Sequence, residues 1–279
     1  MNNKTQTETY LIRTLSNMHV GSGDNNYGIV DRQVQRDVTD ADFPTIHSSG
    51  IKGAFRELFE SKLGKDHKDV INVFGTSKDK SGSKDDMQAG NYHFFNALFL
   101  SLPIRSNVYP YYNGTSPDVL RMFVEKAKLF ESQVAEKLEA AFQPLIDLNP
   151  ENGKPLYFNN ADNLILEDFR DTTHQELLND SNYQFAQKLL GERIALFNHH
   201  DLRLLAKELP IIARNSLDNG QSINLFYEEV VPRETRFYFF VKHNDDKGEF
   251  ENGKEDIIQL GGNASIGNGY SLVKELNKI

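Results

Sequence analysis

From Pro210 to Glu229 the sequence reads PIIARNSLDNGQSINLFYEE, two β-prone arms set around Asp218-Asn219-Gly220. Asp/Asn-Gly between such arms is a strong hairpin-turn signature, so the chain is expected to carry an antiparallel finger. The other periodic segments are of both kinds. Glu8 to Leu15 (ETYLIRTL) alternates and is rich in Tyr, Ile, Leu and Thr, as a half-buried strand should be. Ile51, Ala54, Phe55, Leu58 and Phe59 recur at helical spacing behind Ser48-Ser49, which predicts a helix over about 50–62 with a serine at its N-cap. Further strands are predicted at 92–102, as a pair near 155–168, at 193–197 and at 235–242. Further helices are predicted at 118–142, 182–190 and 201–208, the last capped by Asp201. Strands and helices mix without regular βαβ alternation, so the class is α+β, with one domain expected over 1–279.

Two stretches stand apart from these elements. Ser16 to Thr45 is rich in Gly, Asn and Asp, too long and polar for a plain connector in a compact domain, and such loops are usually functional or disordered. It is the first place to look for a site. Residues 76–90 (TSKDKSGSKDDMQAG) read as a mobile insertion before the strand that starts at Tyr92.

Composition removes several classes of chemistry. The chain has no Cys, which excludes disulfides, thiolate zinc sites and a Cys nucleophile and leaves carboxylates, His, Lys, hydroxyls or a hard metal. The first residues lack a basic stretch followed by an apolar run, and no segment approaches eighteen consecutive apolar residues, so a cytoplasmic location without membrane partners is expected. The formal charge of -9 repels phosphate backbones at long range, so any nucleic-acid site must be local.

Three segments then carry a resemblance. The first runs through His19-Val20-Gly21-Ser22-Gly23, Gly28 to Asp37 (GIVDRQVQRD), and Phe43 to Arg56 with its Ser48-Ser49-Gly50-Ile51-Lys52-Gly53 core. The second is Leu225-Phe226-Tyr227-Glu228-Glu229 with Pro232 and Thr235, and the third is Gln259-Leu260-Gly261-Gly262 with Gly267 and Gly269. Together, and in this order, they resemble the backbone subunit of the type III-B (Cmr) CRISPR effector complexes, within the RAMP superfamily. The resemblance runs nearly end to end. It implies a ferredoxin-like, RRM-related palm with a β-hairpin thumb at 210–229 and inserted helical segments. It also implies a CRISPR RNA guide, further copies of the chain in a filament, other Cmr subunits, and a single-stranded target RNA cut at regular intervals. Two departures bear on this: Asn96 stands where relatives often carry Asp, and Asn268 where a basic residue is usual.

By the resemblance Asp31 is the cutting residue and the holder of a divalent metal, Mg²⁺ or Mn²⁺. RNA can be cut by attack of its own 2′-OH on the adjacent phosphate, which needs help removing the proton and positive charge near the phosphorane-like state. The plainer reading makes Asp31 a turn cap or a partner of Arg32 or Arg36. His19 is assigned to RNA contact, against an equally good packing role. Ser48, Ser49, Lys52 and Arg56 surround a helix start, where free N–H groups and the macrodipole favour an anion; ordinary capping with solvated cations is the alternative, and the resemblance favours the guide. Arg214 on the hairpin, and Gly261 and Gly262, whose backbone can approach a phosphate without a Cβ, complete the implied RNA contacts. Of Glu228 and Glu229 at most one can assist, because adjacent strand residues face opposite ways. His199-His200-Asp201 reads as a surface loop rather than a metal site.

The leading function is therefore a guide-bound, metal-dependent endoribonuclease subunit. The alternatives are a structural RNA-binding filament subunit that does not cut, and a stand-alone guide-processing RNase, which the hairpin and the lack of a His/Tyr/Lys cluster disfavour.

Overall fold

The computed structural model describes residues 5–24, 30–76, 88–176, 180–219, 221–244, 250 and 256–279. Gly28, Ile29, Gly220, most of the expected insertion at 76–90 and most of the charged stretch at 243–255 lie outside them. The chain opens with β1 (Gln6–Thr14), β2 (Gly21–Asp24) and β3 (Arg32–Val34), followed by α1 (Ser48–Leu63) and α2 (Lys68–Phe74). Next come β4 (Tyr92–Phe94), β5 (Leu98–Arg105), β6 (Tyr111–Thr115), α3 (Pro117–Leu129) and α4 (Ala135–Ile146). After β7 (Leu156–Tyr157) and β8 (Thr173–His174) the chain forms α5 (Ser181–Leu190), β9 (Ile194–Leu196) and α6 (His199–Lys207). It closes with β10 (Ile211–Asp218), β11 (Gln221–Glu229), β12 (Arg236–His243), β13 (Ile257–Gln259) and β14 (Tyr270–Glu275). Both element types mix without βαβ alternation, as an α+β chain requires. Among the described residues no helix is long and apolar enough to cross a membrane.

β1 and β12 sit at the centre of the larger sheet, between β14 and β5. Both faces there are covered, which is why β12 is an almost unbroken apolar run rather than an alternating one. On one face α1 buries Ile51, Phe55 and Phe59, one turn apart. Phe55 meets Phe239 with ring centroids 6.3 Å apart, and Tyr10 stacks on Phe239 at 5.0 Å. On the other face Phe123 of α3 stacks on Tyr238 at 3.8 Å.

The hairpin forms as its turn signature requires, with Ile211 opposite Glu229 and Asp218 opposite Gln221. It belongs to a separate sheet of order β10-β11-β3-β2. The Ser16–Thr45 stretch is thus only partly a loop: it supplies two short strands that extend the finger.

Local expectations fail where tertiary contacts decide. The single helix predicted at 118–142 breaks between α3 and α4, where Glu131 takes φ +54° and the Ser132 hydroxyl bonds the Thr9 hydroxyl of β1 at 2.6 Å. The strand predicted at 92–102 is interrupted at Asn96, and of the pair predicted near 155–168 only Leu156–Tyr157 is a strand. Neither Ser48 nor Ser49 caps α1: the N-cap is His47, without a side-chain bond. The cap of α6 is Asn198, which accepts from the His200 N–H at 3.0 Å, while Asp201 is buried and accepts from the Gly153 N–H at 2.7 Å.

Candidate functional site

Asp31 immediately precedes β3 and is fastened to the hairpin through one residue. Its backbone N–H donates to the Tyr227 carbonyl at 3.1 Å, and its Oδ2 accepts from the Tyr227 N–H at 2.7 Å. Both backbone groups of Tyr227 are thereby satisfied, and the carboxylate is held at the edge of the finger. The side chain stays exposed.

The residue after Tyr227 on β11, Glu228, is fully buried. A buried carboxylate needs partners; two groups meet it directly and two more stand at longer range. Asn263 Nδ2 donates to both oxygens at 3.1 and 3.0 Å, Arg214 forms an ion pair at 2.5 Å, and Arg32 Nη1 lies 4.0 Å away. His19 Nε2 is 3.7 Å away. His19 Nδ1 faces the Glu229 carbonyl at 2.8 Å; a carbonyl can only accept, so Nδ1 carries the hydrogen. Arg32 also sits over the Phe226 ring, 4.6 Å from its centroid. Glu229 faces the other way, pairing with Arg36 and accepting from the Val34 N–H at 2.9 Å.

The glycine loop closes this cluster from the far end of the chain. Gly262 N–H donates to the His19 carbonyl at 2.9 Å. Gly261 has φ +81°, and a Cβ there would fall 2.2 Å from the His19 oxygen, so only glycine allows the approach. His19 and Arg214 thus face Glu228, Gly261 and Gly262 close on His19, and Asp31 is fastened to the neighbouring Tyr227.

Ser48, Ser49, Lys52 and Arg56 form a second group at the start of α1. Ser48 N–H donates to Asn96 Oδ1 at 2.9 Å, and His47 N–H to Gln35 Oε1 at 2.8 Å. Asn96 therefore anchors the helix start, a role that Asp at this position could also fill. The first turn has no acidic residue. Lys52 has no carboxylate partner among the described residues; burial, then the charge of Arg56, hold its ammonium below the usual lysine value. Arg56 is less available, since it donates to Glu60 at 2.8 Å and to the Gly75 carbonyl at 3.2 Å. A pocket of about 380 Å³ opens here, lined by Arg36, His47, Ser48, Asn96, Lys126 and Phe130 among others.

His199-His200-Asp201 is not a surface loop but the first turn of α6. His199 Nε2 lies 3.3 Å from Asp40. Among the described residues no three His, Asp or Glu side chains converge on one point. Sequence reasoning did not single out Arg32, Tyr227 or Asn263 as site residues. Their roles come from pairing between segments roughly thirty-five to two hundred residues apart, which leaves no local signal.

The RAMP superfamily model matches residues 11–273. The CRISPR system Cmr endoribonuclease Cmr4 of Pyrococcus furiosus is 29% identical over 92% of this chain and 91% of its own length. The CRISPR system CMR subunit Cmr4 of Saccharolobus solfataricus is 23% identical over 98% of this chain and 97% of its own. Among solved structures, a chain of the type III-B Cmr-beta complex bound to cognate target RNA shares the fold with TM-score 0.74 and 18% identity over 98% of each chain. Oligomeric Cmr4 from Pyrococcus furiosus shares it with TM-score 0.69 and 22% identity, over 97% of this chain and 99% of that one. With almost the whole chain matched by the family model, the protein belongs to the RAMP superfamily.

Proposed function

We propose that the chain is the repeated, guide-binding backbone subunit of a type III-B effector complex, and that it cuts target RNA at Asp31. The observation that carries this reading is the pair of hydrogen bonds between Asp31 and Tyr227, which fixes an exposed carboxylate at the edge of the finger. In this reading the larger sheet is the ferredoxin-like palm, β10 and β11 are the thumb, and each thumb sets the position of one cut. The named Cmr relatives, one an endoribonuclease and one structure bound to target RNA, support it.

The residues fit a lightly held cation. Asp31 Oδ1 accepts no hydrogen bond among the described residues, while Glu228 is occupied by Arg214 and Asn263. Mg²⁺ commonly keeps several waters and takes one or two carboxylates beside substrate phosphates, so Asp31 with RNA phosphate oxygens is a sufficient donor set. Such an ion supplies positive charge to the phosphate in the transition state. Asp31 itself accepts or orients the 2′-OH proton, His19 and Arg32 line the approach, the Glu229 carbonyl holds the His19 ring, and Glu228 keeps a negative charge beside both.

The same bond to Tyr227 also suits a structural subunit that binds RNA without cutting, since it ties the finger to β3. Deleting the hairpin tip, Asn215 to Ser222, tests the proposal as a whole. Exposed tips tolerate change, so the variant should fold and enter complexes, and its products should lose their regular spacing. Regularly spaced products on a sequencing gel would remove the thumb assignment. At the other group, Lys52→Ala should weaken guide binding for every guide sequence and reduce the slope of log K against log salt by about one unit. Filter binding across a salt series reads both.

A further inference from the structure

The face of the larger sheet opposite α1 carries a concentration of positive charge that the proposed function does not use. Arg13 of β1 lies directly opposite Arg236 of β12 and Leu272 of β14, and cross-strand partners share a face. Leu11, one rung along that face, pairs with Tyr238 and Lys274. Tyr238 is the residue that meets α3, so this is the α3 side. Lys188 of α5 and Lys278 complete a ring of five cations around a pocket of about 430 Å³, with Leu11 and Leu272 in its lining.

Two arginines directly opposite one another cost stability unless something neutralises them. The protein offers one carboxylate for both. Glu234 takes Arg13 in a two-pronged bond at 2.8 and 2.8 Å and is 4.0 Å from Arg236. Arg236 is 5% exposed, and burial followed by the charge of Arg13 pushes its pKa down to about 10. Lys188 and Lys274 are exposed, and neither has a carboxylate partner among the described residues. Lys278 is paired with Glu275 at 2.8 Å, so five cations face two carboxylates here, and in a chain of formal charge -9 this is a local excess of positive charge on an apolar floor.

We propose that this pocket is a nucleotide-phosphate site, taking one phosphate of a single-stranded RNA or of a free mononucleotide. Its size lies in the range of small-ligand pockets, roughly 300–1,000 Å³. Lysines at the rim supply mobile point charges and the paired arginines fixed ones, the combination that holds a phosphate.

The full chain is titrated with adenosine 5′-monophosphate by calorimetry and with a labelled single-stranded RNA by fluorescence anisotropy. The test variant is Lys188→Glu/Lys274→Glu. The control is Lys65→Glu/Lys68→Glu, which makes the same change in net charge at exposed lysines elsewhere. At least one probe should bind saturably, and the test pair should weaken it by about tenfold or more while the control stays near wild type. Weakening of monophosphate binding by the test pair identifies a free nucleotide as the ligand, and weakening of RNA binding alone identifies a strand. Thermal melting checks that the variants are folded. No saturable binding of either probe, or a test pair that weakens binding no more than its charge-matched control does, overturns the proposal.

Discussion

Replacing Glu228 with Ala should lower the stability of the chain by about 3 kcal/mol, the usual cost of removing one partner from a buried ion pair. The carboxylate is fully buried, and the Arg214 side chain that pairs with it is only 17% exposed. Without Glu228, Asn263 loses its acceptor and the mostly buried Arg214 loses the carboxylate it pairs with. Glu228→Gln keeps an acceptor for Asn263 and fills the same space, so it should cost less than Ala while still removing the charge that pairs with Arg214. Urea denaturation of the two variants beside wild type checks the order. A loss below about 1 kcal/mol for Ala, the scale of an exposed pair, would mean that this cluster does not hold the finger to β3.

The same cluster explains what could and could not be read from the sequence. The finger was legible because its signal is local: an Asn-Gly turn between alternating arms. So were α1, from its one-turn spacing, and β12, from its apolar run. The addition of β2 and β3 to the finger was not. Strands of four and three residues are too short to show a period, and the pairing of Arg32 with Glu228 spans most of the chain. The break between α3 and α4 was hidden because the apolar stripe continues through Phe130 and Val134, while its cause, the Ser132–Thr9 bond, is tertiary.

At the site, residue types were legible and partners were not. Asp31 could be singled out, yet what holds it is Tyr227, 196 residues later. Arg214 was assigned to RNA through the resemblance, and the partner that sequence could not supply is a buried glutamate on the neighbouring strand. Asn96 looked like a lost carboxylate and turned out to receive the first N–H of α1. In each case a polar side chain was chosen by a distant group, and sequence carries the choice without the address.

Asp31→Asn separates chemistry from architecture. Asparagine keeps the size and offers a carbonyl oxygen for the Tyr227 N–H, so the link to the finger should survive. It loses the negative charge that a metal or a departing proton requires. Complexes assembled with the Asn variant should bind guide and target as wild type does and cut target at least about 100-fold more slowly, the scale of a lost general base. The decisive measurement is a single-turnover time course on labelled target RNA with Mg²⁺ or Mn²⁺, run beside an EDTA control and a gel shift for target binding. The account predicts intact binding with cleavage lost; wild-type cleavage by the Asn variant, with binding intact, would contradict it and leave Asp31 as a fastening of the finger.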